Sequence, residues 1–348
     1  MAHRRREEAS TFAQDAPLIA ADVGGTHARI GLVGRSGANG AFAIPHYRKY
    51  ACADFPSLAA ILDEFRRSVA PAAGGRVALA IAGVVIDDAV VNVKLPWAVS
   101  ISHLQATLGL DDLAVVNDFE AVAHAIGHVD AAEATLLSGP AAAAHGPMLI
   151  IGPGTGLGAA LRVLQAERPL VLATEAGQAT LAPDTALEFE LLRVLRDQGE
   201  RVQIEHVMSG PGLANLHAAL AVLRGAPAPA LTPAQVSAAA LAGDALARDA
   251  VHAFCGWFGA VLGDLVLMYG AQGGVYLAGG VLPQIRELLL QSTFVERFLD
   301  KGAMREALVR TPVRLVDHGQ LGVIGAASWY FSRDAHARVR EDIGVPST

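Results

Sequence analysis

Apolar and turn residues repeat one pattern in two places along the chain. Leu18 to Ala21 is an apolar run closed by Asp22, followed by the turn Val23-Gly24-Gly25-Thr26-His27 and a second largely apolar stretch, Ala28 to Val33. The pattern returns as Met148 to Ile151, Gly152-Pro153-Gly154-Thr155-Gly156-Leu157-Gly158, and Ala159 to Val163. Short apolar runs bounded by turn residues are how strands buried on both faces read. Each stretch therefore predicts strand, glycine turn and strand, and the two copies predict a duplicated domain. Between them, Leu58, Ile61, Leu62 and Phe65 recur at helical spacing within Phe55–Val69, with Ser57 as a cap. Val77–Ala82 reads as a buried strand, Asp87-Asp88 as a turn, and Val90–Val93 as a strand that Pro96 then turns. Ile101–Leu108 predicts a short helix, Leu113–Val116 a strand, and Glu120–Ile126 a helix. Further on, strands are predicted at Thr135–Leu137, Val171–Ala173, Val275–Ala278 and Val313–Val316. Helices are predicted from the Thr185/Glu188 capping box through Leu195, after Arg248, over Ile285–Leu290 and over Val323–Phe331, with a Gly225–Pro233 linker. Strands alternating with helices in both halves predict an α/β protein.

Composition narrows the classes of function. At 348 residues the chain has room for two domains with sizeable cores. A net charge of -7 argues against a nucleic-acid surface, which needs concentrated Lys and Arg. Cys52 and Cys255 stand far apart, in neither a disulfide framework nor a zinc-like spacing, so a reducing cytoplasm is the expected compartment. Residues 1–17 carry Arg4, Arg5 and Arg6 and lack the apolar core of a signal peptide, which reads as a flexible leader. Ala250–Met268 is apolar but contains His252 and Asp264, which predicts a buried central helix and no membrane partner.

The two glycine turns carry candidate chemistry. Such turns let backbone N–H groups converge on a phosphate, with a threonine hydroxyl as an added donor. One alone is also an ordinary hairpin turn; two in equivalent places mark Gly24, Gly25, Thr26, Gly152, Gly154, Thr155, Gly156 and Gly158 as a phosphate-binding set. The G-x-x-x-x-G-K-[ST] loop is absent, and Ala159–Val163 reads as a strand where a dinucleotide fingerprint requires a helix. Asp22, directly before the first turn, is either a turn aspartate or a carboxylate that holds Mg²⁺ through water. Asn117-Asp118 likewise has two readings, an Asx cap on the following helix or a rigidly held general base.

Seven stretches then fall into a known order. They are Asp22–Arg29, Leu95-Pro96-Trp97, Asn117–Ala121, Gly152–Gly158, Glu175–Gln178, Glu205–Leu213 and Leu277–Gly280. Together they resemble the motifs of the bacterial glucokinase family of actin-like, hexokinase-type ATPases, from Leu18 to about Tyr330. The resemblance implies two RNase H-like (actin-like ATPase) α/β domains with a cleft between them. A small domain over 18–128, completed by a helix at 322–332, would be followed by a large domain over 129–321 and a tail at 333–348. It also implies ATP, Mg²⁺, glucose as the sugar, and a cytoplasmic homodimer with a role at the entry to glycolysis. By the same resemblance Asp118 takes the proton from the sugar 6-hydroxyl, Asn117 binds the sugar beside it, and Glu175 and Glu205 accept hydrogen bonds from sugar hydroxyls. Gly279-Gly280 falls in the segment that lies against adenosine. Physical logic agrees: phosphoryl transfer asks mainly for positioning and charge neutralisation, and carboxylates accept strong hydrogen bonds from a polyol.

Three departures bear on the substrate. Lys94 stands where the family usually has Asn; it is either a solvated loop residue or an ammonium group touching a sugar oxygen or the transferring phosphoryl. Gln178 stands where many members have His, which opens the hydroxyl selectivity at that position. The cysteine-rich zinc motif of the ROK kinases is missing and no helix-turn-helix precedes Leu18, which points to the non-ROK group. Kinases for mannose, fructose or an amino sugar, and a sugar-binding regulator without turnover, are the competing readings.

Overall fold

The structure, a computed structural model, describes residues 17–36, 41–69, 75–91, 95–129, 134–142, 145–165, 169–197, 201–227 and 229–342. The leader expected at 1–17 therefore lies, but for Pro17, outside the described residues. The chain divides into two compact units, Met1–Val129 with His318–Thr348, and Asp130–Asp317.

In the first unit, β1 (Leu18–Val23), β2 (His27–Ser36), β3 (Ala41–Ala51), β4 (Arg76–Ile81) and β8 (Asp112–Asn117) form a sheet in the order β3-β2-β1-β4-β8. The first three are antiparallel, whereas β1, β4 and β8 run parallel. Apolar side chains alternate between two cores. Ile19, Ala21 and Val23 pack with Leu58, Ile61, Leu62 and Phe65 of the helix Leu58–Val69, while Leu18 and Ala20 pack with Val323, Ala326, Ala327 and Tyr330. Burial on both faces is why β1 reads as an unbroken apolar run. A separate small sheet joins β5 (Val84–Ile86), β6 (Ala89–Val91) and β7 (Val99–Ser100), with Asp87 and Asp88 at φ 44° and 76° in its hairpin turn.

The second unit repeats this plan. β9 (Thr135–Ser138), β10 (Met148–Pro153), β11 (Leu157–Leu164), β12 (Pro169–Thr174), β13 (Gly274–Leu277) and β14 (Val313–Leu315) are ordered β12-β11-β10-β13-β14-β9. An antiparallel hairpin at a glycine turn, a third antiparallel strand and two parallel strands recur in the same arrangement. The main core lies under the helices Ala186–Asp197, Gly210–Leu223 and Ala245–Tyr269. Among the described residues Ala245–Tyr269 is the one helix long and apolar enough to cross a membrane, but most of it is buried inside this unit. A Cβ at Gly259 would run into the backbone of Phe294, so glycine lets the helix Phe294–Leu299 approach.

Several elements differ from expectation. β3 is a partly exposed edge strand carrying Pro45, Arg48 and Lys49, which removes the apolar alternation that would announce it. The closing helix runs Leu321–Asp342, so residues 333–342 are helix rather than tail. Its last turns are polar, which ends the apolar periodicity, yet Ala and Arg are good helix formers and no Gly or Pro intervenes before Gly344.

Candidate active site

In the first unit, β1, β4 and β8 end in register: Val23 lies opposite Ile81, and Ile81 opposite Asn117. The turn Gly24–Thr26 and the pair Asn117-Asp118 thus leave the same end of the sheet, two strand spacings or about 10 Å apart. The carboxyl ends of parallel strands are where open α/β sheets gather ligands. Asn117 caps the helix Asp118–Ala125, its Oδ1 accepting from the N–H groups of Phe119 at 2.9 Å and Glu120 at 3.1 Å. With that oxygen engaged, Asn117 has an NH₂ to offer a ligand. Asp118 is the first helical residue, where the helix dipole suits a carboxylate, and its Oδ1 accepts from the Phe119 N–H at 2.9 Å. The cap is therefore Asn117, and the base candidate is the residue that the cap positions.

Asp22 lies opposite Arg29 across the β1/β2 hairpin and accepts from its Nη1 at 3.1 Å. Burial pushes the Asp22 carboxyl above its ordinary range, and the Arg29 guanidinium opposes this. No group of three or more His, Cys, Asp or Glu suited to a metal occurs among the described residues. One carboxylate with an oxygen already on arginine fits Mg²⁺ in its usual mode, held through water and completed by substrate phosphates. In the turn, the Gly24 N–H is taken up by the His27 carbonyl at 3.0 Å, and the hydroxyl of exposed Thr26 lies 3.1 Å from His27 Nδ1.

In the second unit the structure brings the two glycine segments together. Gly152 pairs with Gly158, and β13 runs parallel beside β10. The Ala278 N–H donates to the Ile151 carbonyl at 2.9 Å and the Val281 N–H to the Pro153 carbonyl at 3.2 Å, strapping Gly279-Gly280 to Gly152-Pro153. Gly154 gives its N–H to the Gly156 carbonyl at 2.7 Å and receives at its own carbonyl the N–H of Gly210, which opens the helix Gly210–Leu223, at 2.8 Å. A Cβ at Gly152 would run into the Ala278 carbonyl, and Gly279 has φ 96°. A Cβ at Gly154 or Gly280 would meet nothing within 4 Å, and neither has a positive φ. Protein packing thus explains glycine at 152 and 279, while at 154 and 280 the open space is what a bound phosphate or nucleotide would use.

This contrast sets an expectation. Gly152→Ala lowers the melting temperature, because overpacking against backbone costs about 1–3 kcal/mol. Gly154→Ala leaves melting unchanged but raises the KM for ATP by roughly tenfold, because the added methyl takes up open space that a phosphate would need. Thermal melts and ATP titrations of the two variants check this; equal effects on both readouts would contradict it.

Two further carboxylates belong to the second unit. Glu205, in the short helix Ile204–Val207, accepts the Leu157 N–H on Oε2 at 2.8 Å, so it is fixed to the residue that leaves the glycine turn. Glu175 precedes the 3₁₀ turn Ala176–Gln178, and a Cβ at Gly177 would press on the Leu157 carbonyl at 2.9 Å and on Glu205 Cβ at 3.3 Å. Glu175 and Gln178 are exposed, and Gln178 Oε1 accepts from Gln203 Nε2 at 2.9 Å. Glu175, Gln178 and Glu205 thus sit on adjoining segments of one unit. Lys94 lies outside the described residues. Arg29, Arg201 and Gln203 were not anticipated. Only Arg29 had a signal in the chain, as the hairpin partner of Asp22.

Residues 19–333 match the family model described as Glucokinase. The chain belongs to the glucokinase family. A glucokinase-like protein of Xylella fastidiosa (strain 9a5c) is 48% identical over 337 residues, 92% of this chain and 98% of that relative. The solved structure of a glucokinase from an Antarctic psychrotroph is 36% identical, with a TM-score of 0.79, covering 92% of this chain and 100% of its own. A ROK family glucokinase from Streptomyces griseus, solved in complex with glucose and AMPPNP, is 25% identical, with a TM-score of 0.57 and coverage of 90% and 98%.

Proposed function

We propose that this glucokinase family member transfers the γ-phosphoryl group of ATP to the 6-hydroxyl of glucose. The observation that carries the residue assignments is the register of β1, β4 and β8, which puts the base candidate and a phosphate turn at one end of a sheet. As the sugar O6–Pγ bond forms and the bridging Pγ–O bond breaks, ADP leaves with the electron pair, and Asp118 accepts the O6 proton. Asn117 donates its NH₂ to a sugar oxygen, since its own oxygen is engaged in the cap. Glu175 and Glu205 accept from sugar hydroxyls. The turns Gly24-Gly25-Thr26 and Gly152–Gly158, with Thr155, hold phosphate oxygens, and Gly279-Gly280 leaves room for the adenosine. Mg²⁺, when bound with ATP, would supply charge neutralisation, and Asp22 is the residue that would hold it. Family likeness supports a cytoplasmic homodimer acting at the entry to glycolysis.

A second reading, a kinase for mannose, fructose or an amino sugar, follows from Gln178 standing among the proposed sugar-side residues, since a carboxamide can both donate to and accept from a hydroxyl. The purified chain assayed with Mg-ATP against a panel of hexoses separates the two. Glucose is expected to give the highest kcat/KM; another hexose ahead of it would replace the first reading with the second. No sugar-dependent ADP release with any hexose would favour a regulator without turnover.

A further inference from the structure

The segment bearing Glu175 and Gln178 is braced by the stretch that precedes Glu205. The Ile204 N–H donates to the Ala179 carbonyl at 2.9 Å, the Leu181 N–H to the Val202 carbonyl at 3.2 Å, and Thr180 pairs with Gln203 in an isolated bridge. Arg201 Nη2 donates to the Gln178 carbonyl at 3.2 Å and to Thr180 Oγ1 at 3.1 Å. Residues 201–204 thus run alongside 178–181 and lead directly into the helix that carries Glu205. Within this frame Gln203 Nε2 donates to Gln178 Oε1 at 2.9 Å. Gln203 precedes that helix but makes no side-chain cap bond to it, so its contact with Gln178 is not a by-product of capping.

A carboxamide has an accepting end and a donating end. We propose that Gln203 is a positioning residue that occupies the accepting end of Gln178, so that position 178 presents its NH₂ and reads an acceptor oxygen on the sugar. This rests on the reading of Glu175, Gln178 and Glu205 as sugar-side residues. Beside two carboxylates, which only accept, one fixed donor lets a single hydroxyl donate to a glutamate and accept from Gln178. A hydroxyl held in both directions has its stereochemistry checked as well as its presence. Arg201, on the Gln178 carbonyl, holds the backbone while Gln203 sets the side chain.

The test reverses the polarity of the partner. In Gln203→Glu the new carboxylate can only accept, so Gln178 must turn its NH₂ inward and its oxygen toward the ligand. Expected is a rise in glucose KM of about tenfold, with kcat and the ATP KM within about twofold. The penalty should shrink for the monodeoxyglucose that lacks the hydroxyl read by position 178. It should also vanish in a Gln178→Ala background, because neighbours acting through one contact are not additive. Gln203→Ala, which frees Gln178 without reversing it, should give a smaller rise and serves if the charged variant folds poorly. An unchanged glucose KM in both Gln203 variants, or a penalty fully additive with Gln178→Ala, overturns the inference while glucose turnover itself stands. An unsubstituted protein that turns over no glucose overturns the parent reading, and this inference with it.

Discussion

Asp118→Asn should lower kcat for glucose phosphorylation by about a thousandfold while leaving the glucose KM within about threefold, in line with the typical contribution of a positioned general base. The substitution is nearly isosteric. Asparagine keeps an Oδ1 able to accept from the Phe119 N–H, as Asp118 does at 2.9 Å. The cap on the helix Asp118–Ala125 is made by Asn117 and is untouched. Folding, sugar binding and nucleotide binding should therefore survive, and what is lost is the ability to take up a proton as O6 attacks. Steady-state kinetics with circular dichroism as a folding control read this directly. A kcat within a few-fold of the parent would remove Asp118 from the base role and leave it a helix N-terminal residue.

Gly325→Ala should be the most damaging change remote from the ligands. Gly325 is buried in the closing helix, and a Cβ there would overlap the backbone carbonyl of Ala121, itself fully buried in the helix Asp118–Ala125. The obstacle is main chain, so no side-chain rotation relieves it and the two helices must separate. Trp329 donates to Glu120 and Tyr330 to Asp112 Oδ2 at 2.6 Å, so the closing helix is anchored beyond the contact point, and Tyr47 donates to the carbonyl of Gly319 just before the helix at 3.0 Å. Overpacking of this kind costs about 2–3 kcal/mol, or roughly 5–10 °C of melting temperature in a domain of this size. The displaced helix begins with Asp118, one turn from Ala121. A shift of about 1 Å at the base is worth up to a hundredfold in rate, so kcat should fall more than KM rises. A variant with unchanged melting and unchanged kcat would show that the helices are not in backbone contact.

How much of this was legible in the chain depends on where each residue's reason lies. The paired strands and glycine turns were readable because burial on both faces makes Leu18–Ala21 and Met148–Ile151 continuous apolar runs, and the turn residues follow immediately. The Thr185/Glu188 box was also readable, and Glu188 does accept from the Thr185 N–H at 3.0 Å while donating its own N–H to Thr185 Oγ1 at 3.2 Å. β3 was not, since an edge strand carries no buried alternation. The helices Phe294–Leu299 and Arg305–Leu308 are too short for periodicity to register. In the candidate site, local pattern left Asn117-Asp118 open between cap and base; the hydrogen bonds divide the two roles between the two residues. Glu175 and Glu205 have no local signature and entered through resemblance. Gln203 had no signal at all, because its place beside Gln178 depends on how a distant segment returns to the 3₁₀ turn.

The central claim is that this chain moves the terminal phosphoryl of ATP onto the sixth oxygen of glucose. Phosphorus NMR of the purified protein with Mg-ATP and glucose tests it most directly. The account predicts a new phosphomonoester signal coupled to the two protons on C6, growing in step with ADP. ADP without a sugar phosphate, a signal coupled to another carbon's proton, or intact ATP would contradict it.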